Sequence, residues 1–183
     1  MQRVYRWQSD DGVGLEHLSL QHRDDIIVAE GIVIGTDDSG PFGCSYRICC
    51  DGRWRVRAVE VHAAGGESCV LTTDGSGVWR DGDGAAMPEL SGCIDVDISA
   101  TPFTNTLPIR RLGEHLHQRT GLAVVYIPVP TLDLARAEQA YTRLADHRYL
   151  YEGPIGSFQA ELEVDPDGLV VHYPALFRRL PCR

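Results

Sequence analysis

Hydrophobic and polar residues alternate with a period of two over much of this chain, and Asp/Gly clusters interrupt the alternation. That pattern predicts β-hairpins. Ser45–Cys50 and 53–62 flank Asp51-Gly52, a strong two-residue turn signal. Ser68–Thr73 and 78–81 flank Asp74-Gly75-Ser76-Gly77. Residues 158–164 and 169–173 flank Asp165-Pro166-Asp167-Gly168. The last two hairpins share one pattern, in which Asp, two residues and Gly precede an apolar residue that opens the next strand. This hints at an internal duplication, with halves near residues 1–100 and 101–183 of a single domain. Further strands are expected at 26–34, 94–100 and 122–128, where apolar β-branched residues suit central positions. Residues 130–146 read two ways. Their Ala, Leu, Arg, Glu and Gln content favours helix. Their alternation, with Gln139, Tyr141 and Arg143 on one side and Tyr149 and Tyr151 after a turn at Asp146-His147, favours a hairpin.

The densest polar chemistry lies between Cys93 and Leu112. Strand parity sends Ile94, Val96, Ile98 and Ala100 to one face and Cys93, Asp95, Asp97 and Ser99 to the other. The two carboxylates then lie about 7 Å apart, a spacing at which a pair can share acid and base roles. The competing expectation is an ion pair between one of them and Arg110 or Arg111. Thr101, Thr104, Asn105 and Thr106 follow, stiffened by Pro102 and Pro108. Asn105 or Thr106 is expected to cap a short helical turn leading to the arginines. Such groups either satisfy a structural corner or form a polar rim for a sugar or phosphate head group.

Elsewhere the candidates are weaker. Arg53, Arg55 and Arg57 are expected on one strand face, opposite Trp54, Val56 and Ala58. His115-x-His117 has no evident third ligand, so no metal is expected. No G-x-S-x-G, phosphate loop or H-E-x-x-H occurs. No cofactor is implied.

Composition narrows the partners. The 183 residues suffice for one domain with a substantial core. With 19 Gly and 10 Pro, many turns are expected, which favours a mainly β fold with few short helices over a bundle. The net charge is −9, and all basic residues are Arg, so nucleic acid is not an expected partner. Cys44, Cys49, Cys50, Cys69, Cys93 and Cys182 include no C-x-x-C pair and are expected as reduced thiols. No signal peptide or membrane span is recognised, so a cytoplasmic location is expected.

At T-P-F-T-N-T-L-P-I-R-R-L, residues 101–112, the chain resembles the bacterial family named "putative glycolipid-binding", formerly a domain of unknown function. The likeness runs over nearly the whole chain. It takes in Trp7 with Glu16, the Tyr46 strand, Trp54-Arg55, D-G-S-G-V-W ending at Trp79, D-V-D-I at Asp95 and Asp97, Gln139 with Tyr141, and V-D-P-D-G-L-V-V-H-Y-P from Val164 to Pro174. The resemblance implies a strongly curved antiparallel sheet, an open barrel or half-barrel built from two similar halves. It also favours strand over helix at 130–146. That fold is similar to lipoprotein carriers, which hold acyl chains in the concavity.

The expected function is therefore non-enzymatic binding of an amphiphile, a lipid or glycolipid, in that concavity. The expected ligand-binding residues are Asp95, Asp97, Asn105, Arg110, Arg111, Trp54, Arg55 and Tyr141, with Asp97, Asn105 and the arginines at the mouth. One alternative is a hydrolase of carbohydrate or phosphate esters using Asp95 and Asp97 across a water-accessible cleft. Another is a β-rich interaction module, which predicts no cavity.

Overall fold

The computed structural model describes residues 2–154 and 158–181. Cys182 lies outside them. The chain is mainly β, as its alternation predicts, and forms one curved, unclosed sheet of 14 strands. The first seven strands are β1 (Gln2–Ser9), β2 (Leu15–Arg23), β3 (Ile26–Asp37), β4 (Gly40–Asp51), β5 (Val56–Ala63), β6 (Ser68–Thr73) and β7 (Trp79–Asp81). They run outward from the centre in chain order. The other seven are β8 (Asp95–Ile98), β9 (Thr120–Ile127), β10 (Ala135–Ala145), β11 (Arg148–Glu152), β12 (Gln159–Val164), β13 (Val170–Tyr173) and β14 (Phe177–Arg179). They run back inward, and β1 pairs with β14 at the seam.

Neighbouring strands are antiparallel except β8 and β9, which are parallel. A parallel pair needs a crossover. Residues 99–119 supply it, with a 3-10 turn at Pro102–Asn105, the helix α1 (Thr106–Leu112) and a second 3-10 turn at Gly113–His117. This crossover packs on the inner face of the sheet. Phe103 and Leu107 join Trp7, Leu18, Ile48, Leu71 and Trp79 in the larger core cluster. A second cluster gathers Ile109 and Leu116 with Tyr141, Tyr151, Leu162 and Tyr173. The buried indoles keep their donors satisfied, Trp7 Nε1 bonding the Val170 carbonyl and Trp79 Nε1 the Cys93 carbonyl, each at 2.8 Å.

Several local expectations are corrected. The turn after β4 extends past Asp51-Gly52 to Arg55, with Trp54 at φ 63°. Arg53 and Arg55 therefore sit in the turn. Only Arg57 lies on β5, where it pairs with Asp51 at 2.8 Å. The capping side chain of the crossover is Thr101, which accepts the Phe103 N–H at 3.0 Å; Asn105, just before α1, makes no capping bond. As their alternation and the resemblance favour, residues 135–145 form a strand, against their helix propensity, because β9 and β11 pair with both edges. No helix among the described residues is long and apolar enough to cross a membrane.

Candidate functional site

Two chambers open on the inner face at one end of the sheet. The first, of about 450 Å³, lies among Trp7, Glu16, Val33, Phe42, Ala100 and Val129, with Asp10, Asp11, Asp37, Leu15 and Ile34 also lining it. The second, of about 400 Å³, lies among Asp97, Thr101, Asn105, Gln139, Tyr151, Phe158 and Tyr173. Ser99, Tyr126, Leu176 and Phe177 line both. The chambers are thus halves of one groove, at whose junction β8, β9 and the turn before β14 meet.

The first chamber holds a buried carboxyl, Glu16, that is not among the expected ligand-binding residues. Glu16 is 2% exposed. Its Oε1 accepts the Tyr46 hydroxyl at 2.5 Å and the Thr101 hydroxyl at 2.8 Å. Its Oε2 is buried and has no hydrogen-bond partner among the described residues. Burial pushes this carboxyl up to about 7, against the pull of the two hydroxyls. A sequence signal for Glu16 exists: it shares strand parity with Leu18 and Leu20, so it is a carboxylate in a core-facing position. Tyr46 reaches it by lying across Gly31, its cross-strand partner, where an added Cβ would sit 2.1 Å from the ring.

The carboxylates of β8 divide. Asp95 is fully buried, and Arg111 grips it through Nε–Oδ1 at 3.1 Å and Nη2–Oδ2 at 2.5 Å. Burial raises its carboxyl above the usual range, opposed by the guanidinium. Asp97 keeps some accessible surface and lines the second chamber. Its Oδ1 accepts the Thr104 hydroxyl at 3.2 Å and its Oδ2 the Gln139 amide at 2.5 Å. Its surroundings also push its carboxyl up, the two donors opposing. The pair does not share a cleft, since Asp95 points into packed protein.

Asn105 lines the second chamber and accepts the Tyr141 hydroxyl through Oδ1 at 2.8 Å. Tyr141 stands behind it, 5.3 Å from Tyr151, whose ring forms an aromatic wall with Tyr173 and Phe158. Asp97, Asn105, Tyr141, Asp95 and Arg111 thus belong to one neighbourhood. Three candidates do not. Arg110 lies over the Trp54 ring, 5.3 Å from its centroid, in a separate pocket of about 290 Å³ with Arg3, His22 and Asp167. Tyr5 lines this pocket and stacks at 6.0 Å on Trp7, which lines the first chamber, so the two cavities are neighbours separated by that pair of rings. Arg55 is exposed in the β4–β5 turn.

Gln139 lies outside the expected ligand-binding residues because its partner Asp97 is 42 residues away in sequence, whereas Thr101 is expected only as part of the polar rim after β8. His117 bonds Glu114 at the surface. Among the described residues, no group of three or more His, Cys, Asp or Glu could hold a metal ion.

Comparison with known proteins agrees with this fold. The model of the family described as "Putative glycolipid-binding" matches residues 4–179. A crystal structure of a DUF1089 family protein from Pseudomonas aeruginosa superposes with a TM-score of 0.82, at 44% identity over 92% of each chain. No curated protein sequence gives a match.

Proposed function

Because the chain belongs to the family described as "Putative glycolipid-binding", we propose that it binds an amphiphile, a glycolipid or related lipid, without transforming it. The observation that carries this reading is the two-chamber groove. Its chambers, of about 450 and 400 Å³, lie in the range of small-molecule sites. They combine apolar walls at Trp7, Val33, Phe42, Phe158 and Phe177 with a few placed polar groups at Glu16, Asp97, Asn105 and Gln139. Leu176, 38% exposed and lining both chambers, sets apolar surface at the opening, which suits capture of a chain from water.

The hydrolase alternative finds less support, because Asp95 is locked to Arg111 and fully buried. The interaction-module alternative, which predicts no cavity, finds less support still. A cytoplasmic setting is favoured by Cys44, Cys49, Cys50, Cys69 and Cys93, all free thiols. Native mass spectrometry of freshly purified protein, followed by solvent extraction, tests the reading. A co-purifying amphiphile released by the solvent is the expected result. A protein that binds no lipid or detergent monomer in any subsequent titration would overturn it.

A further inference from the structure

The groove is one-sided in charge. Asp10, Asp11, Glu16 and Asp37 line the first chamber and Asp97 the second, while no Arg or His among the described residues lines either. The chain has 17 arginines, so this is not a scarcity of cations. Arg3 and Arg110 gather in the neighbouring pocket under Trp54, and Arg111, behind the second chamber, is held by Asp95.

The outer carboxylates are built in. Asp10 Oδ2 accepts the Ala175 N–H, Asp11 Oδ1 the Val13 N–H and Asp37 Oδ1 the Ser39 N–H, each at 2.9 Å. Deeper in, Glu16 offers an oxygen with no partner among the described residues. Its Oε1 is taken by Tyr46 and Thr101, which fixes the carboxyl and leaves the buried Oε2 as the free acceptor. A buried acceptor without a donor is costly; above about pH 7, where the carboxyl gives up its proton, a donor from a bound molecule would offset that cost.

We propose that the first chamber selects its ligand by the charge of the polar group: it takes a group that donates hydrogen bonds and bears no negative charge, and Glu16 Oε2 accepts one of them. Carboxylates only accept when ionised and accept readily from hydroxyl or ammonium donors. They repel phosphate, sulfate and carboxylate heads at close range in a low-dielectric groove. This inference rests on the groove being the amphiphile site. It adds that the head group is a polyol or an amine, not an anionic lipid head.

The experiment uses three ligands with the same dodecyl chain: dodecyl maltoside, dodecylammonium and dodecyl phosphate. Each is titrated below its micelle concentration into the full chain by isothermal calorimetry at pH 8, where the Glu16 carboxyl is ionised. The maltoside, the ammonium or both are expected to bind at least about tenfold more tightly than the phosphate; whichever binds tighter identifies hydroxyl or ammonium as the donor. Glu16→Gln is expected to weaken the preferred ligand about tenfold while leaving the phosphate no weaker than before, with the melting temperature confirming that the variant is folded. The double variant Asp10→Asn/Asp37→Asn is expected to narrow the gap between preferred ligand and phosphate without touching Glu16. Equal or tighter binding of the phosphate overturns the charge selection but leaves the groove as a lipid site. Unchanged binding of the preferred ligand to folded Glu16→Gln overturns the anchor. Failure of all three to bind overturns the groove reading itself, and the selection with it.

Discussion

Arg111 holds Asp95 with two parallel hydrogen bonds, Nε to Oδ1 at 3.1 Å and Nη2 to Oδ2 at 2.5 Å, across the joint between α1 and β8. The carboxylate has no accessible surface and the guanidinium little. The pair therefore locks the crossover to the sheet and is shielded from salt. Asp95→Ala leaves a buried guanidinium without its partner. It is expected to destabilise the protein by ~3–5 kcal/mol in urea denaturation. A loss under ~1 kcal/mol, the size seen for exposed pairs, would mean that the pair does not hold the fold.

Asp97 sits two residues further along the same strand but in a different role. Its oxygens accept Thr104 and Gln139, and it keeps surface toward the second chamber. Asp97→Ala is expected to cost less stability than Asp95→Ala, roughly 1–3 kcal/mol, and to reduce amphiphile uptake. A variant with wild-type melting temperature and wild-type uptake would remove Asp97 from both the structural and the binding account.

How much of this was legible from residues alone depends on how local the cause is. The Asp/Gly turns set their hairpins through short-range chemistry, and Ser68–Thr73 forms a strand over the whole expected span. The Asp146-His147 turn also forms, with His147 at φ 63°. Residues 135–145 carry a helix-favouring composition that pairing along both edges overrides, so only the alternation and the family resemblance pointed to strand. The ion pair was legible in outline, because a tight turn returns the chain from Asp95 toward the arginines. Which arginine was not: Arg111 turns to Asp95 while Arg110 leaves for Trp54. Least legible were contacts set by long-range register. Tyr46, Thr101 and Glu16 come from β4, the crossover and β2. Only the odd parity of Glu16 signalled that a carboxyl was buried there.

Gly31 is required by that same contact. Tyr46 crosses it so closely that an alanine methyl would fall 2.1 Å from the ring. Gly31→Ala must therefore displace the Tyr46 ring and its hydroxyl from Glu16. A destabilisation of ~1–3 kcal/mol is expected, as for other overpacked cores. In the background of Tyr46→Ala the same substitution should cost much less, because the obstructing ring is gone. A double-mutant cycle measures this coupling. Additive costs would show that the ring has room to move aside.

The buried Glu16 carboxyl also gives the fold a pH dependence with a definite sign. Its folded value of about 7 lies above the ordinary 4.5, so between these values the folded chain holds a proton that the unfolded chain releases. Its contribution is fully present below about 4.5, falls as pH rises, and is lost above about 7. The difference is worth roughly 3 kcal/mol. Asp95 and Asp97, also raised, add to the same trend, whereas Asp37, Asp51 and Asp74, held down by hydrogen bonds, act oppositely at lower pH. Comparing Glu16→Gln with the wild type isolates the one group, since the amide cannot ionise. Urea denaturation at pH 5, 6, 7 and 8 should show the variant gaining stability relative to wild type across this range, by up to ~3 kcal/mol. A gap between the two proteins that stays constant from pH 5 to pH 8 would mean that Glu16 does not titrate there, and that a stronger donor than Tyr46 or Thr101 already holds its charge.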